Sequence, residues 1–176
     1  MSSTTALGVT PQQRPIALRE FRNAYGWSPS IWGRLLVHHG RPENWHWNDA
    51  GLRWLWESIE ELPEWQQAPL VLTFDTGVVP FQAFAWAAEQ LVEFDRRLPA
   101  PDGHVNHVPA MVGLLRGSPE VPFFGVWGTS VSENPFDPWD DERDAPGSGI
   151  PLFPPDGMYV LERHRHFLPP SEHELS

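Results

Sequence analysis

The chain has 176 residues, 40% of them apolar, with 23 acids against 12 basic residues, no cysteine and a net charge of −11. That length suits one well-cored domain. Zero cysteines exclude disulfides, thiol nucleophiles and Cys-based zinc sites, and the acidity argues against nucleic acid and anionic membranes as ligands, since both attract a basic face.

No apolar run approaches the roughly 18 residues of a membrane-spanning helix. The opening MSSTTALGVTPQQRP lacks the basic start and apolar core of a secretory signal, so a cytoplasmic protein is the expectation. All basic residues are arginine, and they are unevenly spread. Residues 1–53 hold six Arg against Glu20, Glu43 and Asp49, a net +3, which leaves −14 for residues 54–176.

Residues 1–13 read as a flexible tail, 14–168 as a single globular domain and 169–176 as a second tail. Ile16 to Tyr25 suits a strand. Ser30 is placed to cap a short helix, IWGRLLVHH, which Gly40 would terminate; a strand ending at Val37 is the alternative. Asn48 or Asp49 caps a helix that Pro63 stops after Leu62. Its buried stripe is Leu52, Leu55, Trp56, Ile59 and Leu62, and Trp54 points nearly opposite.

Leu70 to Phe74 is a short apolar, β-branched and aromatic run between Pro69 and Asp75-Thr76-Gly77, the pattern of a buried strand ending in a turn. A helix follows from about Pro80 to Leu98, stopped by Pro99. Trp86 lies within its polar arc, so a covering segment from the same chain is expected. Asp95 lies in its apolar arc and last turn, where the helix dipole disfavours a carboxylate, so either an arginine partner or a raised pKa is expected. Asn106 caps a further helix to Arg116, Val121 to Val131 reads as a strand, residues 132–157 have no periodicity, and Met158 to Leu161 suits a last strand. The resulting fold class is α+β: one domain, with a small sheet whose central strand, 70–74, lies between helices near 49–62 and 80–98.

The most distinctive surface motif is Glu133 to Asp144, ENPFDPWDDERD, with six acids against Arg143 and two aromatic rings among them. Rings supply burial and carboxylates steer approach, a combination suited to a basic protein partner. Phe136, Asp137, Trp139, Asp140, Asp141 and Glu142 are therefore the candidate contact residues. Trp45, Trp47 and Trp54 join them, because seven of the ten tryptophans fall between Trp27 and Trp65. The functional expectation is a small acidic inhibitor or immunity-type protein that occludes a basic partner such as a toxin or nuclease, with no cofactor. The sequence specifies no oligomeric state.

A second class remains open: a small hydrolase or lyase using Asp75, at the end of the expected strand, with His104 and His107. His104-x-x-His107 has a spacing that presents two imidazoles to one divalent metal such as zinc, although a third ligand is needed. No nucleophile elbow, phosphate loop or dinucleotide fingerprint is present. A third class, sugar binding on exposed indoles, requires two or three tryptophans in one open groove.

Overall fold

The computed structural model describes residues 2–42, 49–117, 119–128, 136, 139–140, 145–146 and 157–170, with the backbone alone for 49, 139–140 and 145–146. It is a single mixed α+β domain. The strands are β1 (Ser3–Val9), β2 (Pro15–Arg22), β3 (Val78–Pro80) and β4 (Phe123–Gly128), which form one antiparallel sheet in the order β2-β1-β4-β3. Helices α1 (Ser28–His38), α2 (Asp49–Glu57) and α3 (Glu64–Val71) lie between β2 and β3 in sequence. Helices α4 (Phe84–Arg97) and α5 (Val108–Arg116) lie between β3 and β4.

The expected N-terminal tail is wrong: residues 3–9 form a central strand, paired with β2 on one side and β4 on the other. The pattern escapes notice because STTALGV is small and only partly apolar. It is buried on both faces, where bulk has no room. A Cβ on Gly8 would collide with the Val121 side chain.

The expected strand at 70–74 is also wrong. Leu70 and Val71 end α3, and the chain then leaves the helix through successive tight turns, with Thr73 N–H donating to Leu70 O (3.0 Å) and Gly77 N–H to Phe74 O (2.8 Å). A short apolar run does not distinguish a buried strand from a buried helix end. Here the tertiary structure decides, because a helix C-terminus leaves carbonyls without intrahelical donors. The fully buried Trp27 donates its indole N–H to Leu72 O at 2.8 Å. Trp32 donates to Thr73 Oγ1 at 2.7 Å, and that hydroxyl donates to Leu70 O at 2.7 Å. Gly77 is required at the close of these turns, since a Cβ there would run into the Val71 carbonyl.

Ser30, expected as the cap of the first helix, lies instead inside it, because α1 starts at Ser28 with Trp27 as its N-cap. Elsewhere the helix ends follow their sequence signals more closely. Gly40, at φ 67°, ends α1 with its N–H on Val37 O (2.9 Å), and Arg41 N–H reaches Leu36 O (2.8 Å), the paired bonds of a left-handed helix terminus. The expected helix to Leu62 is α2 followed by a 3-10 turn over Ile59–Glu61. The helix from about Pro80 begins with a 3-10 turn, Phe81–Ala83, before α4. Asn106 Oδ1 accepts the Val108 N–H at 3.0 Å and so caps α5. Asp95 has its arginine: Arg34 Nη1 lies 2.9 Å from Asp95 Oδ1 and also donates to Leu98 O, with its guanidinium over the Phe94 ring. Burial lowers the Arg34 pKa, and the bond and charge of Asp95 oppose that.

Two cores result, one on each face of the sheet. On the helix face, Ala6, Phe21, Val79, Phe124 and Val126 meet the apolar stripes of the helices in one large cluster. On the other face, Leu7, Val9, Val78 and Phe123 meet Phe136 and Val160, with Trp127, Met158 and Leu168 at the margin. This second face is covered by irregular chain. Residues expected as a last strand, 158–161, contribute a single parallel bridge, Tyr159 to Gly77, before a 3-10 turn over Glu162–Phe167.

Candidate docking surface

The acidic segment enters the described structure at Phe136, which is 1% exposed. Its ring fills the second core against the sheet. This corrects the expectation that Phe136 is displayed to a partner: the ring fastens the segment to its own domain. Three residues on, β5 (Trp139–Asp140) pairs antiparallel with β6 (Ala145–Pro146), Trp139 opposite Pro146 and Asp140 opposite Ala145. The residues between the two strands in sequence are Asp141, Glu142, Arg143 and Asp144. Asp137, Asp141, Glu142, Trp45 and Trp47 lie outside the described residues, as do the side chains of Trp139 and Asp140.

Trp54 is described, and it is occupied. Arg41 stacks on its ring at 3.8 Å and His39 meets it edge-on at 5.1 Å. The contacts continue as a ladder, from His39 to His38 (5.1 Å) and from His38 to Trp65 (5.4 Å), and Arg97 lies over Trp65 at 5.0 Å. His39 Nε2 also meets Gln66 Oε1 at 2.8 Å. The neighbouring histidines at the end of α1, which backbone geometry directs apart, are thus drawn into one row by the indoles that flank them. Trp56 packs against Phe74 and Tyr159. With Trp27 and Trp32 buried and Trp54, Trp65 and Trp86 each beneath an arginine, these five indoles do not form an open sugar-binding groove.

Of the residues of the hydrolytic alternative, Asp75 and His107 are engaged by backbone groups. Asp75 is 3% exposed, and its Oδ1 accepts the Gly128 N–H at 3.3 Å, tying the turn before β3 to the end of β4. His107 lies against the Phe21 ring, with Nε2 3.0 Å from the carbonyl oxygens of both Arg22 and Asn23. An Nε2–H that donates to these carbonyls takes Nε2 itself out of use as a metal ligand. His104 is exposed in the connection between α4 and α5. Among the described residues no group of three His, Asp or Glu side chains is placed to hold a metal ion.

Compared with protein-family models, characterised proteins and solved structures, the chain matches none. The site must therefore be read from its own chemistry.

The feature that sequence reasoning passed over is the clamp on residues 157–167. Tyr159 N–H donates to Thr76 O, and Val78 N–H to Tyr159 O, each at 2.9 Å. Glu60 Oε1 accepts both the Tyr159 hydroxyl (2.6 Å) and the Glu162 N–H (2.8 Å). Glu64 pairs with Arg163 and accepts the Trp86 indole N–H at 3.3 Å. Arg163 stacks on Trp86 at 4.2 Å, and His164 meets the same ring at 5.2 Å. Trp86 is therefore covered by its own chain, as its position on the polar arc of α4 requires. Burial, then the bond to Glu60, raises the Tyr159 pKa, while the bond from Arg163 lowers that of Glu64. The sequence offers only Glu60 and Glu64, on either side of Pro63, and a basic run about 100 residues later at 163–166. Nothing local says that the two will meet.

Among the described residues no helix is long and apolar enough to cross a membrane.

Proposed function

We propose that the protein is a small acidic binding module of inhibitor or immunity type, which occludes a basic protein partner through the segment around Trp139. The observation that carries this reading is Phe136, buried beneath the sheet three residues before a paired strand that begins with Trp139. A fixed foot limits the freedom of the residues beyond it, so less conformational entropy is lost when a partner docks. Asp137, Trp139, Asp140, Asp141 and Glu142 are the contact set, and Trp45 and Trp47 extend it. Phe136 acts from within, and Trp54 is left out because its ring already holds Arg41 and His39. The −14 carried by residues 54–176 supplies long-range attraction for a cationic surface, which salt screens.

The test is a pull-down from the native lysate at low and at physiological ionic strength, comparing the parent chain with Trp139→Ala and with the triple variant Asp140→Asn, Asp141→Asn, Glu142→Gln. Retention of a basic protein that falls with salt and with both variants supports the reading. A partner whose retention ignores salt and both variants, or no basic partner at all, removes it.

A further inference from the structure

We propose that residues 157–167 form a strap that acid releases, with the His164 imidazole as its trigger. The proposal is independent of the docking reading and rests on residues of the described structure alone.

The strap crosses from the second core to the outer surface of α3 and α4. It is held inside by Val160 and Leu161, both buried, and outside by the polar clamp of Glu60, Glu64 and Trp86. His164 sits at the centre of that clamp. Its ring lies between Trp86, at 5.2 Å, and Phe167, at 6.3 Å, and Nε2 is buried with no hydrogen-bond partner among the described residues. A neutral imidazole tolerates this by leaving Nε2 as an unprotonated acceptor; an imidazolium must place an N–H there with nothing to receive it.

The charges around the ring add to that asymmetry. From the strap itself, Arg163 and His166 repel a positive His164. From α3 and the turn before it, Glu64 and Glu60 attract it, but each is already engaged, with Arg163 and with Tyr159 and the Glu162 N–H. From α4 the ring meets the uncharged Trp86 indole. The balance is unfavourable: burial first, then Arg163 and His166, holds the His164 pKa below its ordinary 6.5.

These shifts fix the sign of the pH dependence. Because the closed strap binds the proton more weakly than the released strap, the contribution of His164 to closure is full above pH 6.5 and declines as pH falls below that value. Glu64, whose pKa is lowered by Arg163, keeps its charge and its grip until lower pH still. Mild acid therefore acts on His164 before it reaches the carboxylate. Release breaks the Tyr159 bonds to Thr76 and Val78 and uncovers the edge of β3, together with the Trp56 face on which Tyr159 rests at 4.4 Å. Val160 shares its cluster with Phe136, so the movement also loosens the foot of the acidic segment.

The experiment is amide hydrogen exchange on the full chain at pH 7.5 and 5.5, with rates corrected for intrinsic exchange. Protection at the Val78 and Tyr159 amides should fall at pH 5.5 relative to the β1–β4 ladder. The fall should be at most about tenfold, the limit for a histidine of ordinary pKa about one unit above the measuring pH. His164→Asn should abolish the pH dependence, and His166→Asn should preserve it. The proposal is overturned by protection that is flat with pH, or that falls equally in His164→Asn. If that variant does not fold, an NMR titration of the parent decides: a His164 midpoint below 6.5 supports the trigger, and one at or above it refutes it.

Discussion

The two faces of the sheet are closed by different means. On one, α1 to α5 bury a continuous apolar cluster, with Trp27 and Trp32 satisfying the end of α3. On the other, a few rings and aliphatic side chains from irregular segments do the covering, and carboxylates, a tyrosine, an arginine and a histidine at the surface hold the cover down. Apolar volume does not titrate, whereas a clamp of ionisable groups does. Local opening is therefore expected to be easier, and more sensitive to conditions, on the second face.

The largest effect should come from breaking the first face. Trp27→Ala removes one of the two biggest fully buried rings and leaves the Leu72 carbonyl without its donor, so a loss of about 4 kcal/mol in unfolding free energy is expected. Denaturant unfolding should show this as one cooperative transition at lower concentration; a change below about 1 kcal/mol would mean that the indole is dispensable to the end of α3.

Phe136→Ala sharpens the contrast. The cavity should cost about 3 kcal/mol, toward the lower end for a buried Phe, because the smaller cluster has irregular chain that is free to collapse into the space. Exchange and limited proteolysis should localise the damage to β5, β6 and the strap, with α1 to α4 still protected. Equal loosening of both faces would show that the two cores are one cooperative unit.

Tyr159→Phe should have the smallest effect. It deletes only the hydroxyl bond to Glu60, at an expected cost of about 1 kcal/mol seen as faster exchange of the strap amides and little change in the global midpoint. The parent should reach a similar state at high pH: burial and the bond to Glu60 raise the Tyr159 pKa, so its contribution is complete below the ordinary value of 10 and is lost as pH rises beyond it. An identical strap exchange profile for parent and variant would mean that the Tyr159 hydroxyl adds nothing to the clamp, leaving Glu60 only its bond from the Glu162 N–H.

Much of the helical face was legible. The stripe Leu52, Leu55, Ile59, the Asn106 cap, the Gly40 terminus and the need of Asp95 for an arginine are local demands, and each is met where periodicity and capping chemistry put it. The sheet was much less so. A strand buried on both faces, built from Thr, Ala and Gly, carries no alternation to read, and the apolar run at 70–74 satisfies strand and helix patterns equally until Trp27 and Trp32 arrive from more than 40 residues away. The candidate site divides in the same way: the acidic character of residues 133–144 is plain in the sequence, but that Phe136 points inward and Trp54 is already stacked is not.

By itself, then, the sequence determined composition, charge asymmetry, the courses of α2, α4 and α5 and the Gly40 terminus of α1, because those depend on neighbours within a turn or two. Which strands are central, how 70–77 ends a helix, and which of the many indoles are covered were decided only by tertiary structure. The physical reason is that each depends on a donor, a ring or a charge supplied from a distant part of the chain, and local spacing holds no record of it.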